Sequence, residues 1–282
     1  MAGNTQILPN SSQDHASIEI PEPDNLLATL SQTTPLSSRC CIYKVSNTVG
    51  IDIRNAYEPQ TVSIGPFHHD KESCKATKRF KLLYLNSLLD RAPTLHTNVE
   101  SLMEAITSLE QVSRECYEEN NLTNLTSKDL VEMMVIDGCF ILEMLRREAD
   151  EVPISENDPV FRTAQMHFKI KRDIILVENQ IPLLILQCLF DLTTAPEQEC
   201  FSLIELCLHY LDTIMPMDEG IGPGYTNTSL NPNHLLDVFH NSFISPTITM
   251  LYDTIEHINC ATELHEAGVT FKKNDNASSL FD

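Results

Sequence analysis

Acidic side chains inside apolar segments are the residues of this chain whose types and spacing could do chemistry. Segments 130–145 and 174–190 are strongly apolar and are predicted to be core helices. If they pack together, the carboxylates in and beside them enter a dry environment, where they could hold a divalent metal or act as acid and base. The candidates are Glu132, Asp137, Asp173 and Glu178. One hypothesis for this chain is therefore a metal-assisted hydrolase.

A buried polar network is the other interpretation of the same carboxylates. Glu132 and Glu143 are eleven residues apart and should share a helix face, with Asp137 off that face. A Glu-x-x-His pair, as in helical di-metal sites, is absent from both segments. Basic residues that could pair with the carboxylates, and so cap helix ends and fix helix register, are Arg146, Arg147, Lys171 and Arg172. We favour this network over a catalytic centre.

Other motifs for catalysis or phosphate binding are missing. The sequence contains no GxSxG, no GxxxxGK(S/T) and no GxGxxG motif. Only eight glycines are present, and the loop Gly220–Gly224 lacks a strand-to-helix context. We therefore predict a non-enzymatic protein that has no catalytic residue and uses no cofactor.

Adjacent histidines, His68 and His69, form a third candidate site, with Asp70 and Cys74 close by. A zinc site needs three or four ligands, and this spacing matches no zinc module, although Cys40 and Cys41 could supply further ligands. The simpler interpretation is a turn after Gly65-Pro66 whose histidines bond to backbone groups and lock a loop on the helical core. We predict that this pair does not bind zinc tightly.

Charge argues against nucleic acid as a partner. The formal net charge is −21, from 40 acidic and 19 basic residues, so phosphate backbones and anionic lipid heads repel the chain. The densest basic run is interpreted as a solvated helix face. Its members are Lys71, Lys75, Lys78, Arg79 and Lys81.

Cysteine usage and hydropathy point to a soluble chain in a reducing compartment. Nine cysteines, an odd number, follow an N-terminus without a secretory signal, so free thiols are expected. The most apolar stretch, 174–190, is interrupted at its centre by Glu178, Asn179 and Gln180, and Pro182 follows these three residues. We therefore predict that it belongs to the core of a soluble fold and does not span a membrane. We expect a cytoplasmic location.

The predicted fold class is mainly α, an irregular multi-helix bundle with a few short strands. Residues 1–38 are rich in Ser, Thr, Asn, Gln and Pro and are predicted to be disordered. Residues 39–282 are predicted to form one helical domain. Helices are expected over 75–91, 98–119, 127–145 with Ser127 as N-cap, 162–191 with a break near Pro182, 197–212, 234–243 and 261–267; short strands over 41–45, 61–64 and 269–273; and a long loop over 215–233.

Several motifs occur in a distinctive order along the chain, among them Val62–His69, VSIGPFHH; Asp137–Glu143, DGCFILE; and Glu178–Pro182, ENQIP. Together they resemble a plant family, the domain-of-unknown-function family numbered 247, also called uncharacterised protein family 0481. The most recognisable motif is VSIGPFHH, and the resemblance covers roughly 41–273. Residues of the matching motifs that the resemblance marks as family positions, with a structural role, are Gly65, Pro66, His68, His69, Asp137, Gly138, Glu178, Asn179, Gln180 and Pro182. Departures are Ser46 in place of the family's Pro and Asp70 in place of a frequent Gly.

The resemblance carries expectations about function and membrane attachment. Family members typically continue through a β-containing part into one C-terminal transmembrane helix, and some are associated with pollen self-incompatibility in grasses. The resemblance thus implies that this chain recognises other proteins, which would be its partners. This chain is expected to be a C-terminally truncated member: the strand after Gly268 has no partner downstream, so 268–282 should be poorly ordered. Membrane attachment would require the C-terminal helix that this chain lacks.

Overall fold

The computed structural model describes residues 37–46, 55–91, 97–118, 122, 124–195, 201–212, 231–243 and 260–271. The predictions of disorder before residue 39, of a loop over 215–230 and of poor order over 272–282 lie outside the described residues.

Helices dominate the described residues, and the prediction of a mainly α fold is confirmed. A 3₁₀ helix, η1, spans Glu72–Thr77. The α-helices are α1 (Lys78–Asp90), α2 (Val99–Ser108), α3 (Glu110–Glu115), α4 (Ser127–Glu148), α5 (Ala164–Ile174), α6 (Leu183–Thr193), α7 (Leu203–Asp212), α8 (Leu235–Phe243) and α9 (Ala261–Glu266). The helix predicted over 98–119 is divided at Leu109, where the chain makes a turn between α2 and α3.

Helix α4 is the centre of the bundle. Its 22 residues are apolar on most faces, and α1, α2, α6 and α7 pack around it. The cap at its N-terminus is Thr126 rather than Ser127: the Thr126 side chain accepts a hydrogen bond from Asp129 N at 3.2 Å. Gly138 allows α6 to approach closely, because a Cβ there would lie 2.4 Å from Leu189 Cδ1.

The predicted short strands do not form in the described part of the chain. Only isolated bridges occur there, one parallel between Ile42 and Tyr117 and one antiparallel between Pro182 and His234. Residues 61–64 have no regular secondary structure, and the N–H groups of Thr61, Val62 and Ile64 bond to side chains from other elements rather than to a neighbouring strand. Residues 269–271, also predicted as a strand, have no regular secondary structure.

Helix α1 runs alongside α4 in the same direction. Lys81 contacts Asp137, and three residues further on Tyr84 stacks on Phe140 with ring centroids 5.3 Å apart. Leu83 is apolar, but it is 47% exposed. The buried residues of α1 are Lys81, Tyr84, Leu85 and Leu88.

None of the helices within the described ranges is both long and apolar enough to cross a membrane. The strongly apolar stretch around residue 180 is instead divided between α5, a turn and α6.

Candidate functional site

The segment 59–69 is held against the bundle by side chains from α4 and from the α5–α6 connection. Asp173, at the end of α5, accepts three consecutive backbone N–H groups, from Gln60 at 3.0 Å, Thr61 at 2.6 Å and Val62 at 3.0 Å. This carboxylate is fully buried, and Arg172 Nη1 lies 3.2 Å from it. A buried carboxylate that accepts several N–H groups is fully engaged in fixing a backbone.

Asp137 performs the same role from the middle of α4. Its Oδ2 accepts from Gly65 N at 2.8 Å, and its Oδ1 lies 2.5 Å from Lys81 Nζ. Lys81 also donates to the Ser63 carbonyl at 2.5 Å. Both charged side chains are buried, so the ion pair is shielded from solvent.

Asn179 completes this set of contacts from the α5–α6 connection. Its Oδ1 accepts from Ile64 N at 2.6 Å, while its Nδ2 donates to the carbonyls of Val62 at 3.0 Å and Asp173 at 2.8 Å. Gly65 turns the segment with a φ of +71°, and a Cβ there would lie 2.4 Å from Gln180 O. Any side chain at Gly65 would therefore clash with backbone.

Glu178 joins two further segments. Its Oε1 accepts from Val45 N at 2.7 Å, and its Oε2 lies 2.9 Å from His68 Nε2. Burial lowers the pKa of His68, and the adjacent Glu178 opposes that shift only in part. We call Asp137, Asp173, Glu178 and Asn179 the buried polar clamp.

The two adjacent histidines have different neighbours. His68 points inward to Glu178, whereas His69 donates from Nδ1 to the Pro66 carbonyl at 2.7 Å and lies 3.0 Å from exposed Asp70. Each histidine therefore has a polar contact of its own. Within the described residues, no group of three or more His, Cys, Asp or Glu side chains is arranged to hold a metal ion.

The four acidic candidates do not converge. Glu132 is exposed on α4, whereas Asp137, Asp173 and Glu178 are buried, each with separate partners. Glu132 and Glu143, predicted to share a helix face, differ in burial. Glu143 is fully buried, because Arg91 and Arg147 cover it at 2.5 and 3.3 Å, while no such cover lies over Glu132.

Two further acid sites, at buried Asp158 and at partly buried Glu148, were missed by sequence reasoning. Asp158 pairs with Arg147 and accepts from Tyr84 Oη at 2.7 Å. Glu148 contacts Lys171 at 2.5 Å and His167 at 2.9 Å. Burial would raise the pKa of Glu148, but these two partners outweigh it and lower the pKa to about 2. The only available signal was the Asp158-Pro159 dipeptide, which marks a helix start and not a buried pair.

A cavity of about 380 Å³ lies beside the clamp, between η1, the start of α1 and the first half of α4. Asp137 and Lys81 contribute to its wall, together with the exposed Glu132. The remaining lining residues include Lys75, Lys78, His69, Asp70, Asp129, Leu125, Met133 and Ile136. Charges of both signs and apolar side chains make it suited to a polar side chain or small polar molecule.

The solvent-facing side of α1, which meets the cavity at Lys78, is exposed and of mixed character. Leu82 and Leu83 are 46% and 47% exposed, and they lie one helical turn from Lys78 and Arg79, both exposed. We call Lys78, Arg79, Leu82, Leu83 and Asn86 the outer face of α1. No acidic residue occurs anywhere in 75–86.

Comparison with known proteins places the chain among plant proteins. The family model of DUF247, a plant protein of unknown function, matches residues 42–282. The UPF0481 protein At3g47200 of Arabidopsis thaliana is 29% identical over 227 residues, which cover 80% of this chain and 46% of that relative. A putative UPF0481 protein of the same plant, At3g02645, is 27% identical over 152 residues, covering 52% of this chain and 26% of the relative. The chain spans less than half the length of these relatives, and no solved structure matches it.

Proposed function

The chain belongs to DUF247, a family of plant proteins of unknown function, and from that premise we propose that it is a non-enzymatic protein that recognises other proteins. The observation that carries the proposal is the outer face of α1, an exposed surface with two leucines and two basic side chains on a chain whose net charge is −21.

The contacts of the buried carboxylates support a non-catalytic role for them. A general base needs an accepting oxygen within reach of a substrate proton. Asp173 is occupied by three backbone N–H groups and Asp137 by Lys81 and Gly65, while Glu178 accepts from Val45 N through Oε1 and has its Oε2 2.9 Å from His68 Nε2. Rearranging any of them for catalysis would release the segment that it holds.

The outer face has the composition of a binding surface. Exposed leucines side by side remove apolar area from water when a partner covers them, at roughly 25 cal/mol per Å². Arginine is enriched at the energetic centres of protein interfaces. Arg79, Leu82 and Leu83 fall on one stripe of α1, which a partner helix or extended segment could cover.

The partner is a protein segment that carries acidic and apolar residues. Lys75 pairs with Glu72 at 2.5 Å, but residues 78–89 include no acidic residue, so Lys78 and Arg79 give this stripe positive charge although the chain is acidic overall. Complementary charge speeds encounter and excludes wrong partners. The cavity adjoins this stripe through Lys78, which lines it, and so offers a place for one polar side chain of the partner.

Quantitative affinity capture from plant tissue, followed by mass spectrometry, tests the proposal. The outer-face variant carries Arg79→Ala, Leu82→Ala and Leu83→Ala. Its matched control carries Phe168→Ala and Lys169→Ala on α5, where Phe168 is 64% exposed and Lys169 is exposed. We expect acidic plant proteins recovered by the wild-type chain to fall at least tenfold with the outer-face variant and to be retained by the control. Titration of the purified partner should then show binding that weakens with salt.

Three outcomes would count against the proposal. Equal recovery with both variants would mean that the outer face is not the binding surface. Concentration-dependent self-association that the outer-face variant abolishes would assign that face to a second copy. Turnover of a hydrolysable substrate that Asp137→Asn abolishes would favour the alternative, a metal-assisted hydrolase.

We further propose that this chain acts away from the bilayer, although the resemblance relates it to membrane-anchored family members. The polar side chains of Glu178, Asn179 and Gln180 are buried and form hydrogen bonds with backbone groups of this same chain. Partition of this 282-residue chain into the carbonate-washed membrane fraction would contradict the cytoplasmic expectation.

A further inference from the structure

Two cysteines from distant parts of the chain meet where the segment 40–46 lies against the end of α3. The backbone N–H groups of Cys41 and Ile42 both donate to the Cys116 carbonyl, each at 2.9 Å. These bonds bring the α-carbons of Cys41 and Cys116 within about 6.8 Å. Disulfide bonds span roughly 4.4–6.8 Å between α-carbons. The two thiols are also hydrogen-bonded to one another.

The surroundings shift the pKa values of the two thiols in opposite directions. The hydrogen bond from Cys41 lowers the pKa of Cys116; burial opposes this shift and the nearby Arg39 adds to it. The same hydrogen bond, together with burial, raises the pKa of Cys41. Cys116 is therefore the thiol that ionises more readily, and a thiolate is the reactive form of cysteine.

We propose that Cys41 and Cys116 are an oxidation site, at which a hydroperoxide converts the two thiols into a reversible disulfide bond. The Cys116 sulfur takes the terminal oxygen of the hydroperoxide, the O–O bond breaks, and the alcohol leaves with a proton, which produces a sulfenic acid. The Cys41 sulfur then attacks the Cys116 sulfur and displaces that oxygen as water. In total, two thiols and one hydroperoxide yield one disulfide, one alcohol and one water.

Contacts of the same segment indicate what the disulfide would fix. Ile42 is 1% exposed within the core, and Val45 N donates to Glu178 in the buried polar clamp. His234, at the start of α8, bonds to the Cys41 backbone. A bond between Cys41 and Cys116 would close a long loop and fasten the segment that these contacts hold only non-covalently.

Two other cysteines of the described residues, Cys139 and Cys207, are poor competitors for this chemistry. Burial raises the pKa of Cys139 and of Cys207 to about 12, so both remain protonated and shielded. Cys40 and Cys188 are partly exposed and provide the matched controls.

Peptide mapping of the intact, purified chain tests the proposal. The folded protein is treated with one equivalent of hydrogen peroxide, blocked with an alkylating reagent and digested with trypsin under non-reducing conditions. Trypsin releases Cys41 in peptide 40–44 and Cys116 in peptide 115–128. We expect these two peptides to be recovered as one linked species, two hydrogens lighter than their sum, and to separate after treatment with a dithiol.

Variants identify which cysteine carries the link. The linked species should persist in Cys40→Ser and Cys188→Ser, disappear in Cys41→Ser, and lose its dominance when the wild-type chain is oxidised in urea. The mapping of the wild-type chain needs no substitution, so it can overturn the proposal even if a variant fails to fold. Oxidation of Cys116 beyond the sulfenic acid without a link, a link that survives Cys41→Ser, or equal linkage in urea would each overturn it.

Discussion

The buried polar clamp and the outer face of α1 use the same kinds of residue in opposite ways. Lys81 and Lys78 are three residues apart on one helix, yet Lys81 is buried against Asp137 while Lys78 is exposed beside two leucines. On the inner side, charge fixes a backbone segment and is expected to matter for stability. On the outer side, charge and apolar area are left for a partner and are expected to matter for binding. Surroundings rather than residue type therefore separate the two roles.

The largest effect expected on stability comes from the inner lysine. Lys81→Ala leaves Asp137 buried without its cation, and removing one partner of a buried ion pair costs about 3–5 kcal/mol of unfolding free energy. The control Lys78→Ala should change that free energy by no more than about 0.5 kcal/mol. Urea unfolding followed by circular dichroism measures both. Similar small losses for the two variants would remove the distinction between the inner and outer side.

A smaller loss is expected when the clamp keeps its shape but loses one charge. Asp173→Asn weakens three N–H contacts, and hydrogen bonds to charged groups contribute about 1.5–3 kcal/mol each before relaxation, so we expect a total loss of about 2–3 kcal/mol. The matched control is Asp191→Asn on α6. The Asp191 carboxylate is exposed and accepts a hydrogen bond from the Gln187 side chain at 2.7 Å. If both variants unfold at the same urea concentration, the clamp does not hold the segment 59–69.

Acid should destabilise the folded chain through His68, which lies 2.9 Å from Glu178 of the clamp. Burial lowers the pKa of His68 in the folded chain, with Glu178 opposing, so the unfolded chain binds a proton more readily once the pH falls below about 6.5. The contribution of His68 to the free energy of unfolding is therefore fully present above that pH and is lost as the pH falls toward the lowered pKa. His68→Gln should reduce this slope in part, because burial also lowers the pKa of His234.

The histidine effect is checked by unfolding in urea at several pH values between about 7.5 and about 5. His265→Gln, at an exposed position on α9, serves as the control and should leave the slope unchanged. A wild-type slope in the His68→Gln variant would show that this histidine is not linked to folding.

The smallest effect on stability is expected at the outer face. Leu82→Ala and Leu83→Ala remove side chains that are nearly half exposed, and alanine keeps the helical propensity of α1, so each should cost no more than about 0.5 kcal/mol. Thermal or urea unfolding of the double variant tests this. A loss of several kcal/mol would place these leucines in the core and remove the basis for the proposed binding surface.

Periodicity predicted the elements of the fold better than the environment of individual residues. Spacing correctly placed a long apolar helix near 127–148 and helices on either side of Pro182. On α1, however, apolar Leu83 is exposed while charged Lys81 is buried. A repeat of 3.6 residues tells which side chains share a face, but only the packing of other elements decides which part of that face is covered.

Long-range contacts explain why the site was harder to predict than the fold. Asp137 and Gly65 are 72 residues apart, and Asp173 and Val62 are 111 apart. The motif around Gly65 indicated a locked turn, but no local pattern pairs it with α4 and α5. For the same reason, the meeting of Cys41 with Cys116 could not be read from spacing. Contacts of this kind depend on tertiary packing and not on sequence neighbours.

Affinity capture with an inner and an outer variant side by side is the most direct test of the central claim that the inner side of α1 stabilises while the outer side binds. Recovery of partner proteins from plant tissue is compared for the wild-type chain, the outer-face variant and Asp173→Asn, using folded protein verified by circular dichroism. We expect recovery to fall at least tenfold for the outer-face variant and to stay near the wild-type level for Asp173→Asn. Wild-type recovery by the outer-face variant, or loss confined to the folded Asp173→Asn protein, would contradict the claim.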